Sequence, residues 1–553
     1  MKYSNFLIWT AAASLIVSCQ ELDLHYEGGT MDEDQIVEAV EAKPDRINSS
    51  VSGMYAILNK PYTYFGIPAV GDPRDDDFGY PCICLGQDLN GADMVNVVSD
   101  YDWFSPALEW SDRDPSYANP QMRLGLFYKI IYATKDVLGA IPAGDVSDEL
   151  KYKRGQASAM RAFSYLSLAP YFQFKYVGNE DKPCVPLVSE NTDPRNNPRA
   201  SVRDVYKLII SDLTSAISDL DGFSRGTNKS IIDQNVAYGL RARAYLNMEE
   251  WENAASDADS AMMGYNPYTM NELTSPGFND ASDHNWIWAL LMPSELVGEK
   301  AASWPSQLGS FSASGYVAYA GIYRSINKLL YDKIPDTDVR KKWWLNEEKK
   351  SSYLDGLQWK DVAEDTIYNG QDIADAAIAD VKQPMDKYSN VKFGQRSGIG
   401  TTYNDGDWCM MRAEEMILIK AEATAKAGSL TDGKQILEDF VKTYRNPDYT
   451  CGATTVEAFS DSVWFQRRVE LWGEGFAMSD IMRLNKPVVR YHDGQTDSNV
   501  PETYRFNVAA GDKWMLLRFV QKETTNNAGL INNEGGAQPK QGDGAALTDG
   551  VTD

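Results

Sequence analysis

The chain has 553 residues, with 79 acidic against 53 basic side chains and a formal net charge of −26. Such a surface repels phosphate backbones, which argues against a nucleic-acid partner and leaves neutral sugars or cationic peptides as easier ones. At 43% hydrophobic and 11% aromatic the composition is globular, and the length suits two to four domains or one large helical array.

Read from the start, residues 1–18 read as a signal peptide: Lys2 gives a positive start, and Phe6 to Val17 is a mostly apolar stretch too short to span a bilayer. Ile16-Val17-Ser18-Cys19 resembles the bacterial lipoprotein processing box, which implies acylation at Cys19. Gln20-Glu21-Leu22-Asp23 resembles a surface export signal, and residues 19–33 read as a lipid-anchored tether.

A single domain over 34–553 is expected, with a helical scaffold at about 34–61, 121–265 and 407–485 and loop-rich insertions at about 62–120 and 266–405. Apolar periodicity predicts helices from Gln35 to Leu58, broken at Pro44, then over 121–141, 148–175, 202–221, 233–249, 251–264, 407–427, 431–445 and 461–475. Trp286-Ile287-Trp288 reads as a short strand, and the Asn/Gly/Gln-rich tail from Thr524 as poorly packed.

Tyr238, Ala242, Tyr245, Trp251, Ala254 and Ala261 fall where a tetratricopeptide repeat alternates large and small residues, with Arg241 and Glu249 departing from it. A weaker copy starts near Ile417, with Ala421 and Gly428 in register. The fold class is mostly α: a tetratricopeptide-repeat-like scaffold with long loop insertions and minor short strands.

His25, His284 and His492 lie far apart and support no metal site or catalytic triad. Beyond Cys19, the five cysteines are an odd number without zinc-type spacing and read as buried thiols. Asp75-Asp76-Asp77 would suit a structural calcium only if other oxygen ligands converged, and turn capping is the preferred reading; no cofactor is implied.

Several segments together resemble the SusD-like (RagB/SusD) family of Bacteroidetes. They are Arg161-Ala162-Phe163-Ser164-Tyr165-Leu166 with Val185-Pro186-Leu187, the pair Asn235 to Ala261, Tyr331-Asp332 with Asp338-Val339-Arg340, Arg412-Ala413-Glu414 with Ala421-Glu422-Ala423, and Gln466 to Arg483. Gln466 stands where that family usually has Glu. The Arg and Glu residues from Arg467 to Arg483 read as ion pairs along or between helices, not as catalytic groups.

The resemblance implies a non-catalytic, lipid-anchored glycan receptor of the outer-membrane surface, partnered with a SusC-like TonB-dependent transporter. Pyranose rings pack their C–H faces on aromatic planes while Asp, Asn, Gln and Arg take the hydroxyls. Two aromatic clusters in the insertions are candidates: Tyr101, Trp103 and Phe104, preceded by Asp88, Asn90 and Asp93; and Trp304, Phe311, Tyr316, Tyr319 and Tyr323. Of these, Tyr101, Trp103, Phe104, Trp304, Tyr316 and Tyr319 are the glycan contacts expected. Trp343-Trp344, Trp251 and Trp472 are expected to pack in the interior. The alternatives are a RagB-type peptide receptor on the same scaffold and a surface glycoside hydrolase. The latter needs two positioned carboxylates, which a chain with 79 acids neither supports nor excludes.

Overall fold

The computed structural model describes residues 33–61, 74–98, 102–141, 144–292, 301–361 and 364–553. Cys19 and Tyr101 lie outside the described residues, as do residues 1–18, for which a signal peptide is expected.

The chain opens with α1 (Glu33–Ala42) and α2 (Asn48–Ala56), separated at Pro44 as the sequence predicts. Within the first insertion lies a helix the periodicity misses, α3 (Tyr80–Asn90). Cys82, Ile83, Cys84, Leu85, Asp88, Leu89 and Asn90 are all buried, so α3 has no solvent face and no stripe to detect. Gly79 starts it at φ +79°, where a Cβ would lie 2.3 Å from the Leu58 carbonyl oxygen.

The scaffold helices follow: α4 (Ala118–Ala140), α5 (Asp148–Phe172), α6 (Val202–Asp219), α7 (Gln234–Met248) and α8 (Trp251–Ala261). After the second insertion, which carries the short α9 (Trp304–Gln307) and α10 (Tyr316–Ala320), come α11 (Ala413–Lys426), α12 (Leu430–Tyr444), α13 (Val456–Glu470) and α14 (Ala477–Leu484). Hydroxyl or carboxylate caps fix several starts: Ser147, Ser201, Asp233, Ser429 and Thr455 each accept a backbone N–H of the first turn.

Each scaffold helix packs on the next, α4 on α5, α5 on α6, α6 on α7 and α7 on α8, and the stack then skips the insertion to α11 and α12. The repeat pattern explains the close approach: Ala242, Ala254 and Ala261 are fully buried. Arg241 departs from the pattern because it binds Asp257 of α8 through two hydrogen bonds of 2.6 and 2.9 Å, a clamp between paired helices. In the second copy a Cβ on Gly433 would lie 2.7 Å from the Ala425 Cβ and 2.8 Å from the Ala421 oxygen, so glycine lets α12 approach α11.

The strands form antiparallel pairs. They are β1 (Met94–Asn96) with β5 (Arg324–Ile326), β2 (Pro183–Pro186) with β3 (Arg199–Ser201), β4 (Trp286–Leu290) with β8 (Trp408–Arg412), and β6 (Gln358–Asp361) with β7 (Thr366–Asn369). β8 corrects the helix expected from residue 407. All five of its residues are buried and pair with the equally buried β4, so a run read as the first turns of a helix is a strand ending at the cap of α11.

The tail also differs from expectation. Asn527, Asp549 and Thr552 are buried. Asp549 accepts from Arg468 at 2.6 Å and Asn533 accepts from Arg199 at 2.8 Å, and Leu530 joins the core, so polar side chains as well as apolar ones dock it. The five described cysteines are free and buried.

Another clamp predicts an acid sensitivity. Glu422 of α11 receives both terminal nitrogens of Arg483 at 2.9 Å. Burial alone would raise its carboxyl, but Arg483 and Lys426 outweigh it and hold the group down to about 2. A depressed carboxylate stabilises the fold above its unfolded pKa, and that stability is lost as pH falls through about 4 toward about 2. At about 1.4 kcal/mol per unit the contribution is on the order of 3 kcal/mol. Glu422→Gln should therefore lower stability at pH 7 and flatten the acid limb of a stability profile measured by urea unfolding; an acid limb of unchanged slope would count against this assignment.

Candidate functional site

Trp103 and the aromatics of α9 and α10 come from insertions some two hundred residues apart, and a buried arginine joins them. Arg324 of β5 donates to Asp102 at 2.6 Å, to Asn96 of β1 at 2.7 Å and to the Gln307 carbonyl of α9 at 2.9 Å. Asp102 precedes Trp103, and Ser306 of α9 accepts the Tyr316 amide at 2.8 Å. Arg324 and Asp102 are fully buried, so this junction is rigid where it anchors the rings.

The rings themselves divide into interior and surface. Phe104 is 1% exposed, packed edge-on to Phe78 at 6.2 Å with the Arg324 guanidinium over it. Trp304 is 1% exposed, donates to the Gly406 carbonyl at 2.8 Å and packs edge-on to Phe393 and Trp408. Phe311 and Tyr323 are likewise interior. The expectation that Phe104 and Trp304 offer faces to a ligand is therefore corrected: both rings fill the space between insertion and scaffold.

Tyr319, at 55% exposure, projects from α10; Tyr316 and Trp103 are half-buried. Arg74 lies 5.7 Å over the Trp103 ring and donates twice to Asp76 at 2.8 Å. Burial pushes the Asp75 carboxyl up, while a hydrogen bond from Trp103 opposes it. Aromatic planes thus adjoin charged hydrogen-bonding groups at Trp103.

One exposed ring escaped the sequence reading. Tyr403 is 54% exposed, in a loop tied to the α10 approach where the Ser314 hydroxyl donates to the Thr402 carbonyl at 2.5 Å. A lone tyrosine in a Thr/Asn/Asp/Gly run carries no cluster signal; only the fold brings it beside the second cluster.

The first cluster's polar residues turn inward. Asp88 accepts the Gly475 and Ala477 amides, Asn90 donates to Asp112, and Asp93 binds Arg468 at 2.7 and 2.9 Å. Among the described residues, no three His, Cys, Asp or Glu side chains converge to hold a metal ion.

The charged motifs assemble elsewhere, in the interior between the second insertion and the scaffold. Glu470 of α13 accepts from Arg445 at 2.7 and 2.8 Å, from Arg412 at 2.8 Å and from Arg340 at 3.1 Å. Asp338 holds Arg340, Glu474 holds Arg412 and Lys392, and Glu414 holds Arg445. Four cations face four carboxylates in this network, all buried. Burial would raise the Glu470 carboxyl, but Arg445, Arg412 and Arg340 hold it well below the usual carboxylate range. Gln466 accepts from Arg340 at 2.5 Å, and a neutral amide is what this balanced cluster accommodates; a carboxylate there would add an unmatched charge.

Residues 251–535, just over half of the chain, match the SusD family, and residues 90–246 match a second description, starch-binding associating with outer membrane. The chain belongs to the SusD family. A SusD-like protein of Formosa agariphila is 22% identical over 418 residues, covering 68% of this chain and 74% of the relative. Among solved structures, a SusD-like carbohydrate binding protein of Bacteroides vulgatus superposes with a TM-score of 0.69 at 23% identity, covering 90% of this chain and 98% of the other. A SusD superfamily protein of Bacteroides thetaiotaomicron gives 0.64 at 21%, covering 88% and 99%. Three of the segments that carry the SusD-like resemblance, Asp338-Val339-Arg340, Arg412-Ala413-Glu414 and Gln466 to Glu474, contribute to the buried ion network, together with Lys392 and Arg445. Its place in the interior makes it a structural signature, separate from the exposed Tyr319 ring.

Proposed function

We propose that this SusD-family protein is a non-catalytic receptor for oligosaccharides, binding them on the face formed by Trp103, Tyr316 and Tyr319. The observation that carries the reading is the exposed Tyr319 ring beside half-buried Tyr316, on a short helix locked to the Trp103 loop through Arg324. A fixed aromatic plane loses little side-chain entropy when a sugar ring packs on it. The family match and the carbohydrate-binding description of the Bacteroides vulgatus structure support a glycan over a peptide.

On this reading Cys19 carries the lipid that holds the protein at the outer-membrane surface, and a SusC-like TonB-dependent transporter receives the ligand. Among the described residues no helix is long and apolar enough to cross a membrane. Membrane fractionation of a Cys19→Ser variant tests the anchor, and co-purification of a barrel protein with the wild type tests the partner.

Trp103→Ala and Tyr319→Ala should each weaken oligosaccharide binding in calorimetry by about two- to twelvefold, the scale of a lost ring contact of about 0.5–1.5 kcal/mol. Tyr319 bears on solvent, so its removal should leave the melting temperature unchanged. Unchanged affinity in both variants would remove the site.

A further inference from the structure

A cavity of about 110 Å³ lies among α5, α7, α13 and α14, with half-buried Ser167, Asn247 and Ser479 on its wall beside the buried Arg113, Tyr171 and Arg467. Three buried polar groups on this wall have no hydrogen-bond partner among the described residues: the Tyr171 hydroxyl, Arg113 Nε and Arg467 Nη1. All three can donate.

Charge is also unbalanced behind the Arg113 side of that wall, where Arg123 and Arg490 lie near Arg113 without lining the cavity themselves. Arg113, Arg123 and Arg490 are each at most 2% exposed. The carboxylate that pairs with this group is Asp112, which accepts from Arg113 at 2.6 Å and from Arg123 at 2.9 Å. Arg490 instead donates to the carbonyls of Leu89, Asn90, Gly91 and Leu108. Burial and the neighbouring Arg113 charge push the Arg490 guanidinium down to about 9. The carboxylates on the cavity wall itself are committed: Glu415 to Arg243, Asp480 to Arg467 and Arg483, and Glu474 to Arg412 and Lys392.

Unmatched buried cations are strongly destabilising, and buried donors without acceptors add to that penalty. Water would satisfy the donors and leave the charge. An oxyanion does both, and its several oxygens suit donors that arrive from separate elements. A cavity needs only about 10–15 Å³ for one water, so this one has room for a small polyatomic ion, though not for an oligosaccharide chain.

We propose that this cavity is a binding site for a small tetrahedral oxyanion, sulfate or phosphate, held by Arg113, Tyr171 and Arg467. The ion would cross-link α5, the loop at Arg113 and α13. It is independent of the aromatic face.

Thermal melting of the wild type at constant ionic strength in a gluconate buffer, with sulfate or phosphate added to about 10 mM, should show a saturable rise in melting temperature. Tyr171→Phe keeps the ring packing and removes one donor; its half-saturation concentration should rise about tenfold while its melting temperature without the anion holds. Crystals soaked in selenate should show an anomalous peak bordered by Arg113, Tyr171 and Arg467. No saturable shift, an identical titration in Tyr171→Phe, or a soaked cavity without the peak would each overturn the proposal.

Discussion

Replacing Glu470 with alanine is expected to lower the unfolding free energy by about 3–5 kcal/mol, because removing one member of a buried ion network strands the others. Glu470 is the hub: it receives Arg340 from the second insertion and Arg412 and Arg445 from the scaffold, at distances of 2.7 to 3.1 Å. Without it three guanidiniums keep two fewer acceptor oxygens in an interior where water does not reach them. Glu470→Gln keeps shape and one acceptor but loses the charge, so its penalty should be smaller. Urea unfolding monitored by tryptophan fluorescence measures both. A loss under about 1 kcal/mol for Glu470→Ala would mean that the cluster relaxes or hydrates.

Trp304→Ala should be nearly as damaging, at about 3–5 kcal/mol, and its effect on ligand should be indirect. The ring is 1% exposed and wedged between Phe393 and Trp408, and its indole N–H is spent on the Gly406 carbonyl. A Cβ on Gly406 would sit 2.6 Å from that ring, so the 406 loop is shaped around it. Truncation leaves a cavity, orphans a carbonyl and frees the base of α9, which positions Tyr316. The comparison with Tyr319→Ala separates the roles: Trp304→Ala lowers the melting temperature, whereas Tyr319→Ala acts on ligand alone. A Trp304→Ala protein that melts like the wild type would contradict the packing described here.

These two tryptophan and tyrosine positions show what the sequence can and cannot disclose. The helical scaffold was legible because α6, α8 and α12 keep one face in water and so repeat their apolar residues at helical spacing. α3 and β8 were not, since burial on all sides erases the period. The docked tail was missed because its order comes from isolated contacts, such as Asp549 with Arg468 and Leu530 in the core, that composition does not register. In the site, clustering and small neighbours located the aromatic segments. They could not separate Trp304 from Tyr319, because which ring turns inward depends on partners such as Gly406 and Phe393, about a hundred residues away in sequence. Tyr403 needed the same long-range folding to come into view.

The most direct test of the account is a crystal structure of the protein soaked with an oligosaccharide that it binds in calorimetry. Intact sugar rings are expected to lie flat against Trp103, Tyr316 or Tyr319. A glycan seated away from all three rings, or recovered cleaved at a pair of carboxylates, would contradict it.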